Sequence, residues 1–401
     1  TFNLPLFAKS KPMKVLFINT IAGKTATGNI IDSLASKVIS LGMEAYVATG
    51  YGKSNVPNVH NIKIGSLIDR CIHATCTRIN DSHAMHSVRA TNALIDNIIK
   101  IKPDVVHLHN LHGYYLHIPL IIEFLKLSNI STIITLHDLW LLTGHCAYPM
   151  TSNCNKYTDA SCCDCEQKNN YPKSWTDFSA RNVAMKKKIF NGFDSLHVVV
   201  PSRWMSNIVH GSWFCEHPLF IISNGINTNI FTQKVIEQKD MVLGVANVWT
   251  TDKGFNSFIK LRELLPDSIG ITMVGVNEHQ RKLLPKGITA YKNIDNNQLP
   301  ELYSCARATI NMSQSEAFGV TTIESMACGT PVIAFDNTAT HELISHDTGI
   351  LVRNGDVNSI ADAVMKCDKK SYSEACRRQA TTLYDNNIMA NKYIELYNRL
   401  S

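Results

Sequence analysis

The chain has 401 residues, of which 45% are hydrophobic and 18% are charged, and 39 Lys and Arg residues stand against 33 Asp and Glu residues. One hydrophobic core rarely serves a chain of this length, so two domains are expected. The balanced composition excludes a disordered, collagen-like or coiled-coil protein. No apolar run approaches the roughly 18 residues that cross a bilayer, which predicts a soluble globular protein.

The charge and the cysteines limit the function classes. A net charge of +6 is small for a nucleic-acid-binding protein, so no nucleic-acid partner is expected. Residues 1–199 hold 20 Lys and Arg against 13 Asp and Glu, which suits either an ordinary solvated surface or weak attraction to an anionic surface or ligand. Twelve cysteines without a visible signal peptide indicate reduced thiols and a cytoplasmic protein. Residues 1–12 are interpreted as a leader or a disordered extension.

Strand and helix patterns alternate through the first half of the chain. Compact apolar runs predict strands, and apolar residues at helical spacing predict helices. The predicted strands are 15–19, 45–49, 104–109, 132–136 and 195–200, and the predicted helices are 28–41 and 90–100. Such alternation predicts a parallel sheet covered by helices. We assign this Rossmann-like domain to residues 13–222.

A second series begins at the turn Ser223-Asn224-Gly225. Its predicted strands are 241–246, 271–274, 308–311 and 332–335, and its predicted helices are 254–265, 298–306 and 320–327. Gly329 and Pro331 end the last of these helices. The fold class is therefore α/β, with two Rossmann-like parallel-sheet domains that face a central cleft; the second domain is 223–384, and 385–401 contains an amphipathic helix. Open α/β sheets bind ligands at the carboxyl ends of their strands, which the two domains would present across the cleft.

The segment 315–334 carries the most specific chemical signal. Glu316 follows a predicted strand, and Gly319 opens a helix whose first amides are free to bind an anion such as a diphosphate. Glu324 lies about a turn and a half into that helix, where its carboxylate could accept hydrogen bonds from a sugar diol. The alternative is a pair of acids that only complement the helix dipole.

This segment resembles the Glu-x7-Glu signature of retaining glycosyltransferases of family 4, which have the GT-B fold, and the resemblance extends over nearly the whole chain from Met13. It implies that Glu316 contacts hydroxyls of the donor sugar and that Glu324 holds the nucleotide ribose. Lys253, in a Lys-Gly pair, would neutralise the diphosphate, and His137, in Leu-His-Asp, would lie beside the donor sugar. The further donor-binding residues are predicted as Phe318, Gly319, Val320, Thr321, Asn224 and Gly225. The GT-B fold also implies that the C-terminal helix crosses back to the first domain.

One feature departs from the family pattern. The family usually has an Arg five or six residues before the Lys, but residues 244–249 contain none. The helix N-terminus at Gly319, or a basic residue from elsewhere, would have to compensate. No two Asp residues lie two positions apart, so the Asp-x-Asp metal motif of the other common transferase fold is absent from the sequence, and no catalytic metal is expected. The resemblance implies a front-face mechanism that retains configuration.

Residues 107–115 are rich in His, Asn and Tyr and follow a predicted strand. Such side chains suit sugar recognition by hydrogen bonding and stacking, although they could also be ordinary loop residues. The segment resembles one in a bacterial exopolysaccharide, colanic-acid and lipopolysaccharide subgroup of the family. We predict acceptor binding by His109, Asn110, His112 and Tyr114, and by Gly23 in the loop 21–29.

A predicted insert at 143–172 contains five cysteines in a stretch of 20 residues. Cys146, Cys154, Cys162 and Cys165 could hold a structural zinc, whereas a reduced or partly disulfide-bonded loop is the alternative. Lys186-Lys187-Lys188 predicts either a solvated face or an anchor for anionic lipid.

These features together predict a cytoplasmic glycosyltransferase at the inner face of the cytoplasmic membrane. It would transfer a sugar from a nucleotide-sugar donor, with a UDP-sugar favoured and a GDP-sugar as the alternative. The acceptor would be a lipid-linked or core oligosaccharide in bacterial surface-polysaccharide assembly (O-antigen, capsule, exopolysaccharide or lipopolysaccharide core). A nucleotide-sugar epimerase of the same fold and a non-catalytic nucleotide-sugar-binding scaffold are the alternatives.

Overall fold

The structure is a computed structural model that describes residues 11–295 and 298–401, so most of the predicted leader lies outside the described residues. It contains two parallel sheets. The first has seven strands in the order β3-β2-β1-β4-β5-β6-β7 and the second has six in the order β10-β9-β8-β11-β12-β13. Both orders reverse next to the first strand of their sheet, which is where open α/β sheets form ligand crevices.

The elements of the first sheet follow the predicted alternation, with additions. Its strands are β1 (Lys14–Ala22), β2 (Glu44–Gly52), β3 (His60–Lys63), β4 (Val105–Leu108), β5 (Ser131–Thr135), β6 (Leu196–Val200) and β7 (Leu219–Ile221). Its helices are α1 (Thr25–Ser40), α2 (Leu67–Asn80), α3 (Val88–Ile101), α4 (Ile118–Ser128), α5 (Ser179–Phe190) and α6 (Arg203–His210). The predicted loop 21–29 was wrong, since β1 continues to Ala22 and α1 begins at Thr25.

The second sheet is built in the same way. Its strands are β8 (Met241–Val245), β9 (Gly270–Val274), β10 (Ile288–Tyr291), β11 (Ala308–Asn311), β12 (Val332–Asp336) and β13 (Gly349–Arg353). Its helices are α7 (Phe255–Leu264), α8 (Glu278–Arg281), α9 (Leu299–Cys305), α10 (Val320–Ala327), α11 (Thr340–Leu343), α12 (Val357–Lys366) and α13 (Lys369–Leu383). The central strands are buried on both faces, which explains their continuous apolar runs.

The last helix, α14 (Asn386–Leu400), crosses back to the first sheet as the GT-B fold implies. Its buried side chains, among them Tyr393 and Tyr397, share one core cluster with Phe17 of β1 and Ile31 of α1. A crossing helix of this kind ties the end of the second domain to the first sheet. No helix within the described ranges is long and apolar enough to span a membrane.

Candidate active site

A cavity of about 400 Å³ lies between the two sheets. Side chains of both halves line it: Thr27, Asn110, His137, Asp138, Tyr148 and Asn224 come from the first half and the linker, and Asn247, Trp249, Lys253, Glu316, Phe318, Gly319, Val320 and Thr321 come from the second half. Eight of the predicted donor-site residues are therefore brought together, although they are spread from position 137 to position 321 of the sequence.

Glu316 and Lys253 form an ion pair in this cavity. The ammonium Nζ of Lys253 donates to Oε1 of Glu316 at 2.7 Å, and both side chains are partly exposed to the cavity. Glu316 lies in the loop after β11, where its backbone N–H donates to Oγ1 of Thr338. Lys253 precedes Gly254, which has a φ of +82° and lies so close to the carbonyl of Met312 that a side chain would clash. The glycine therefore fixes the turn that aims Lys253 at Glu316.

Two helix N-termini open on the cavity, one from each domain. The first turn of α1 contributes Ala26 and Thr27, and the first turn of α10 contributes Val320 and Thr321. The N-cap residues of the two helices, Lys24 and Gly319, make no side-chain hydrogen bond to the first amides, and the hydroxyl of Thr25 accepts only a long one, 3.4 Å, from the N–H of Gly28. Each uncapped end carries roughly half a positive charge, so the pair is suited to a diphosphate. Lys253 is the one Lys or Arg among the described lining residues. The ends of α1 and α10 therefore add positive potential to a lining in which Lys253 is the one described cationic side chain.

Glu324 lies just outside the lining, one turn beyond Thr321 on α10. Its Oε2 accepts a hydrogen bond from the hydroxyl of Tyr303 at 3.0 Å. Desolvation raises the pKa of Glu324 to about 7, and the Tyr303 hydrogen bond opposes that rise. Residues three apart share a helix face. A ligand that leaves the cavity along α10 would therefore reach Glu324 next.

His137 reaches the cavity from the loop after β5 and is held by a second histidine. Nε2 of His137 lies 3.0 Å from Nδ1 of His109, and the two rings are stacked. Desolvation lowers the pKa of His137 to about 4, so the ring is neutral at pH 7. The buried His109 stays behind His137 and does not line the cavity. It therefore positions His137, and its predicted direct contact with the acceptor finds no support in the geometry.

The remaining acceptor candidates form an aromatic group beside the cavity. Nε2 of His112 lies 2.9 Å from Oδ2 of Asp138, and its Nδ1 lies 3.1 Å from the hydroxyl of Tyr171. The rings of Tyr114 and Tyr171 are 6.0 Å apart. His112 and Tyr114 are thus brought together next to Asn110, which lines the cavity.

Of the three predicted glycines, Gly319 lines the cavity, whereas Gly23 and Gly225 are not among its lining residues. A side chain on Gly225 would clash with Asn386 at the start of α14, so this glycine is needed for close packing with the crossing helix. Gly23 has a φ of +70° and packs against the carbonyl of Lys53. Both positions require glycine for backbone reasons, whereas Asn224, next to Gly225, does line the cavity.

The cysteine insert encloses a separate cavity of about 200 Å³ that Cys146, Cys154, Cys162 and Cys165 line together. A hydrogen bond between the thiols of Cys146 and Cys165 raises the pKa of Cys146 and lowers that of Cys165 to about 7. Across residues 11–295 and 298–401, however, no group of three or more His, Cys, Asp or Glu side chains is arranged to hold a metal ion. The donor set has the right chemistry but not an assembled geometry, so the zinc site stays a prediction.

Lys186 contradicts both interpretations of the lysine run. Its side chain is buried, and its Nζ donates to the carbonyls of Trp140 and Thr143 and lies 3.4 Å from the centre of the Trp140 ring. Burial lowers the pKa of Lys186 to about 7. This lysine holds the loop after β5 in place, and only Lys187 and Lys188 are on the surface.

Sequence reasoning missed several residues of the site. Tyr148 belongs to the insert yet lines the main cavity, where its ring centre lies 5.9 Å from Nζ of Lys253. Asp138 was visible only as the neighbour of His137 in the Leu-His-Asp motif, and it fixes His112. Asn247 carries no motif, whereas Thr27 lies in the segment 21–29 that was predicted near the site without naming this residue.

Solved structures share the whole fold. Sucrose-phosphate synthase from Thermosynechococcus elongatus matches with a TM-score of 0.73 at 18% identity, covering 97% of this chain and 99% of that one. The Anabaena protein HepE in complex with UDP-glucose matches with a TM-score of 0.68 at 14% identity, covering 96% and 100%. At these identities the likeness establishes the GT-B fold.

Two sequence relatives are glycosyltransferases, and both matching family models describe glycosyltransferases. A putative colanic acid biosynthesis glycosyl transferase of Escherichia coli K12 is 22% identical over 97% of this chain and 100% of its own length. An O-antigen chain mannosyltransferase of Salmonella typhimurium is 31% identical over 39% of this chain and 43% of its own length. Residues 227–382 match the model "Glycosyl transferases group 1", and residues 27–230, more than half of the chain, match "Glycosyltransferase Family 4". The chain belongs to glycosyltransferase family 4.

Proposed function

We propose that the protein transfers a sugar from a nucleotide-sugar donor to a saccharide acceptor with retention of configuration and without a catalytic metal. The observation that carries this proposal is the Glu316–Lys253 pair, set at 2.7 Å between the uncapped ends of α1 and α10. A sugar nucleotide has hydroxyls for the carboxylate and a diphosphate for the ammonium. The solved neighbour with UDP-glucose supports a UDP-sugar as the donor, with a GDP-sugar as the alternative.

Each residue then has a defined task. Lys253 and the two helix ends stabilise the negative charge that grows on the diphosphate as the bond to the sugar breaks. Glu316 accepts hydrogen bonds from the sugar hydroxyls, and the neutral His137 positions the sugar. The departing phosphate oxygen takes the proton of the acceptor hydroxyl while the acceptor oxygen bonds to the same face of the sugar. Lys253 and the two helix ends would thus stabilise the diphosphate in place of a divalent cation.

The names of the relatives suggest the pathway class. They include a putative colanic acid transferase and an O-antigen mannosyltransferase. We infer that the acceptor is a lipid-linked or core oligosaccharide of a bacterial surface polysaccharide. The place of reaction would be the inner face of the cytoplasmic membrane.

The test is a transfer assay with UDP-glucose, UDP-galactose and GDP-mannose, lipid extracts as acceptor, and EDTA throughout. We expect nucleotide release that depends on acceptor, an α-linked product from an α-linked donor, and loss of activity in Glu316→Gln. Glu374→Gln on the outer face of α13 is the matched control. Release of an isomeric sugar nucleotide without acceptor would instead support an epimerase. Donor binding with full biological function in Glu316→Gln would support a scaffold.

The structural zinc is a separate proposal for the insert. One zinc ion per chain that is lost in Cys165→Ser but retained in Cys163→Ser would confirm it, because Cys163 is exposed and does not pair with Cys146. A metal-free protein in which all four cavity thiols react with a thiol reagent would exclude it.

A further inference from the structure

Helix α2 presents an apolar face that no other described element covers. Ile68, Ile72 and Ile79 lie on one stripe of the helix, because positions 68, 72, 75 and 79 follow helical spacing. Each of these side chains is at least half exposed, and Ile68 reaches 71%. The opposite side of α2 is buried through His73 and Thr77. A helix with this pattern would ordinarily turn its isoleucines inward, so the outward stripe needs a partner.

A tryptophan extends the apolar face at the C-terminal end of α2. Trp175 is 70% exposed, and its backbone N–H donates to the carbonyl of Arg78 at 2.8 Å. The hydroxyl of Thr176 donates to the carbonyl of Ile79. The chain around Trp175 is thus fixed beside α2 while the indole remains in solvent. We call Leu67, Ile68, Ile72, Ile79 and Trp175 together the α2 face.

The exposed charges around the α2 face are positive. Arg78 lies on the helix itself, Arg181 donates to the carbonyl of Asn80 at its end, and Lys63 precedes its first turn. The acids of the region are already engaged. Asp69 caps the start of α2 through Ser66, and Asp81 is buried in a pair with His145. The α2 face therefore combines isoleucine and tryptophan with nearby cations that form no salt bridge to a carboxylate among the described residues.

We propose that the α2 face docks on the surface of an anionic lipid bilayer. Isoleucines can enter the boundary between headgroups and acyl chains, tryptophan prefers that boundary, and Arg and Lys contact the phosphates. Anionic lipid supplies negative charge for Arg78 and Lys63 and an apolar layer for the isoleucines, so one surface matches both features of the α2 face. The charge complementarity therefore favours a membrane.

The inner side of α2 adjoins the candidate acceptor group. The guanidinium of Arg70 stacks on the ring of Tyr51 at 4.0 Å, and the ring of His73 lies 5.8 Å from that of Tyr114. Docking through α2 would therefore bring the lipid surface beside the residues that we assign to the acceptor. This inference rests on the proposed lipid-linked acceptor and names the surface that meets its membrane.

The test is co-sedimentation of the full chain with vesicles of phosphatidylcholine alone or with 30% phosphatidylglycerol. We expect binding only to the anionic vesicles, and at least a tenfold weaker partition for Ile68→Asn combined with Ile72→Asn. The matched control is Leu127→Asn combined with Leu283→Asn, which replaces two exposed leucines elsewhere. Arg78→Gln should weaken binding to the anionic vesicles as well.

Several outcomes would overturn the proposal. In one, the α2 variant and the control variant bind vesicles equally, and in another the parent chain binds none. In a third, the parent chain forms a dimer in solution that the α2 variant alone abolishes. A thermal shift with UDP-glucose is measured on the same proteins. Vesicle binding without that shift would contradict the donor site and leave the α2 face intact, and the converse would contradict the α2 face alone.

Discussion

At the scale of single residues, the two key charges of the site pair with each other. Glu316 and Lys253 lie 2.7 Å apart, so neither is left as an isolated charge in the cleft. The proposed donor would separate them, since its diphosphate attracts Lys253 and its hydroxyls donate to Glu316. Removal of the Glu316 carboxylate and removal of the Lys253 ammonium should therefore change nucleotide affinity in opposite directions.

We expect Glu316→Gln to lower kcat by roughly 100-fold, because it weakens contacts that strengthen as the sugar becomes cationic. Its affinity for UDP should stay equal or rise, since Lys253 is released from the carboxylate. Lys253→Met should weaken UDP binding by about tenfold or more. Calorimetric titration with UDP checks both variants, and equal losses of UDP affinity in the two would contradict the assignment.

The proposed contact between Glu324 and the ribose predicts a pH dependence of donor affinity. The pKa of Glu324 is raised to about 7, and a ribose diol that donates to it favours the ionised form. The affinity for a UDP-sugar should therefore be complete above pH 8 and fall as the pH drops below 7, by about tenfold per unit at most. UDP-glucose is the suitable probe because its diphosphate does not titrate in this range. Glu324→Gln should remove the dependence, and a flat profile in the parent chain would exclude the role.

Site residues that share a short motif could be predicted from the sequence, whereas contacts between distant segments could not. Glu316, Gly319 and Thr321 follow from one loop and one helix start, so their shared location is local geometry. Tyr148 enters the same cavity only because the insert folds back over it. Lys186 was misread because a run of lysines does not reveal which one faces the carbonyls of the loop after β5.

At the scale of elements, α14 is connected to the site through a chain of buried rings. The hydroxyl of Tyr397 lies 2.7 Å from Nδ1 of His107, and the ring of His107 packs 4.1 Å from that of His109, which holds His137. The helix that crosses from the second domain thus supports the orientation of the cavity histidine. A substitution in α14 that breaks this chain of contacts should lower the stability of the protein and shift the position of His137.

Tyr397→Phe tests this link. It leaves a buried nitrogen of His107 without its partner, so the free energy of unfolding should fall by about 1–3 kcal/mol. Urea unfolding followed by circular dichroism gives this value. Tyr291→Phe, at an exposed position on β10, is the control and should change little. An unchanged free energy in Tyr397→Phe would mean that His107 finds another partner.

The buried histidines of the first domain predict acid sensitivity. Burial lowers the pKa of His73 to about 3 and that of His137 to about 4, and lowers those of His83, His107 and His109 well below their usual value. An unfolded histidine titrates near pH 6.5, so the unfolded chain takes up protons first. Stability should be full above pH 6.5 and fall from there towards pH 4.

The melting temperature, measured at several pH values between 7.5 and 5, gives the slope of stability against pH. His73→Gln should reduce it, whatever its effect at neutral pH, because it removes one strongly shifted group. His346→Gln is the control, since the side chain of His346 is exposed. If the slope is the same in the two variants, the buried His73 is not a source of the acid sensitivity.

Most central elements with a buried face were predicted, although α4 and α12 also bury one face and were missed, and the edge strands were not predicted. The central strands β1, β4, β5, β8, β11 and β12 and the helices α1, α3, α7 and α10 were all anticipated within a few residues. The edge strands β3 and β10 carry half-exposed, mixed sequences with little apolar periodicity. Helix α2 was missed because its apolar residues point outward, so its pattern did not indicate a core-facing helix.

At the scale of the whole molecule, a carboxylate of the second domain caps a helix of the first. Glu342 on α11 accepts hydrogen bonds from the backbone N–H groups of Arg203 at 2.9 Å and Trp204 at 2.5 Å, at the start of α6. Close by, the hydroxyl of Ser202 donates to the carbonyl of Ala317, next to Glu316. The two domains therefore meet through a charged helix end that lies beside the donor cavity.

We expect Glu342→Ala to favour an open arrangement of the domains. A charge-assisted cap of this kind is worth about 1–2 kcal/mol, which corresponds to a roughly five- to thirtyfold shift in the balance of closed and open forms. Small-angle scattering of the variant should give a larger radius of gyration, and saturating UDP-glucose should restore the parent value. KM for the donor should rise more than kcat falls, because closure completes the site without taking part in bond breaking. Glu374→Ala, on an exposed face of α13, serves as the control. Identical scattering and KM in Glu342→Ala and the parent chain would show that other contacts hold the domains together.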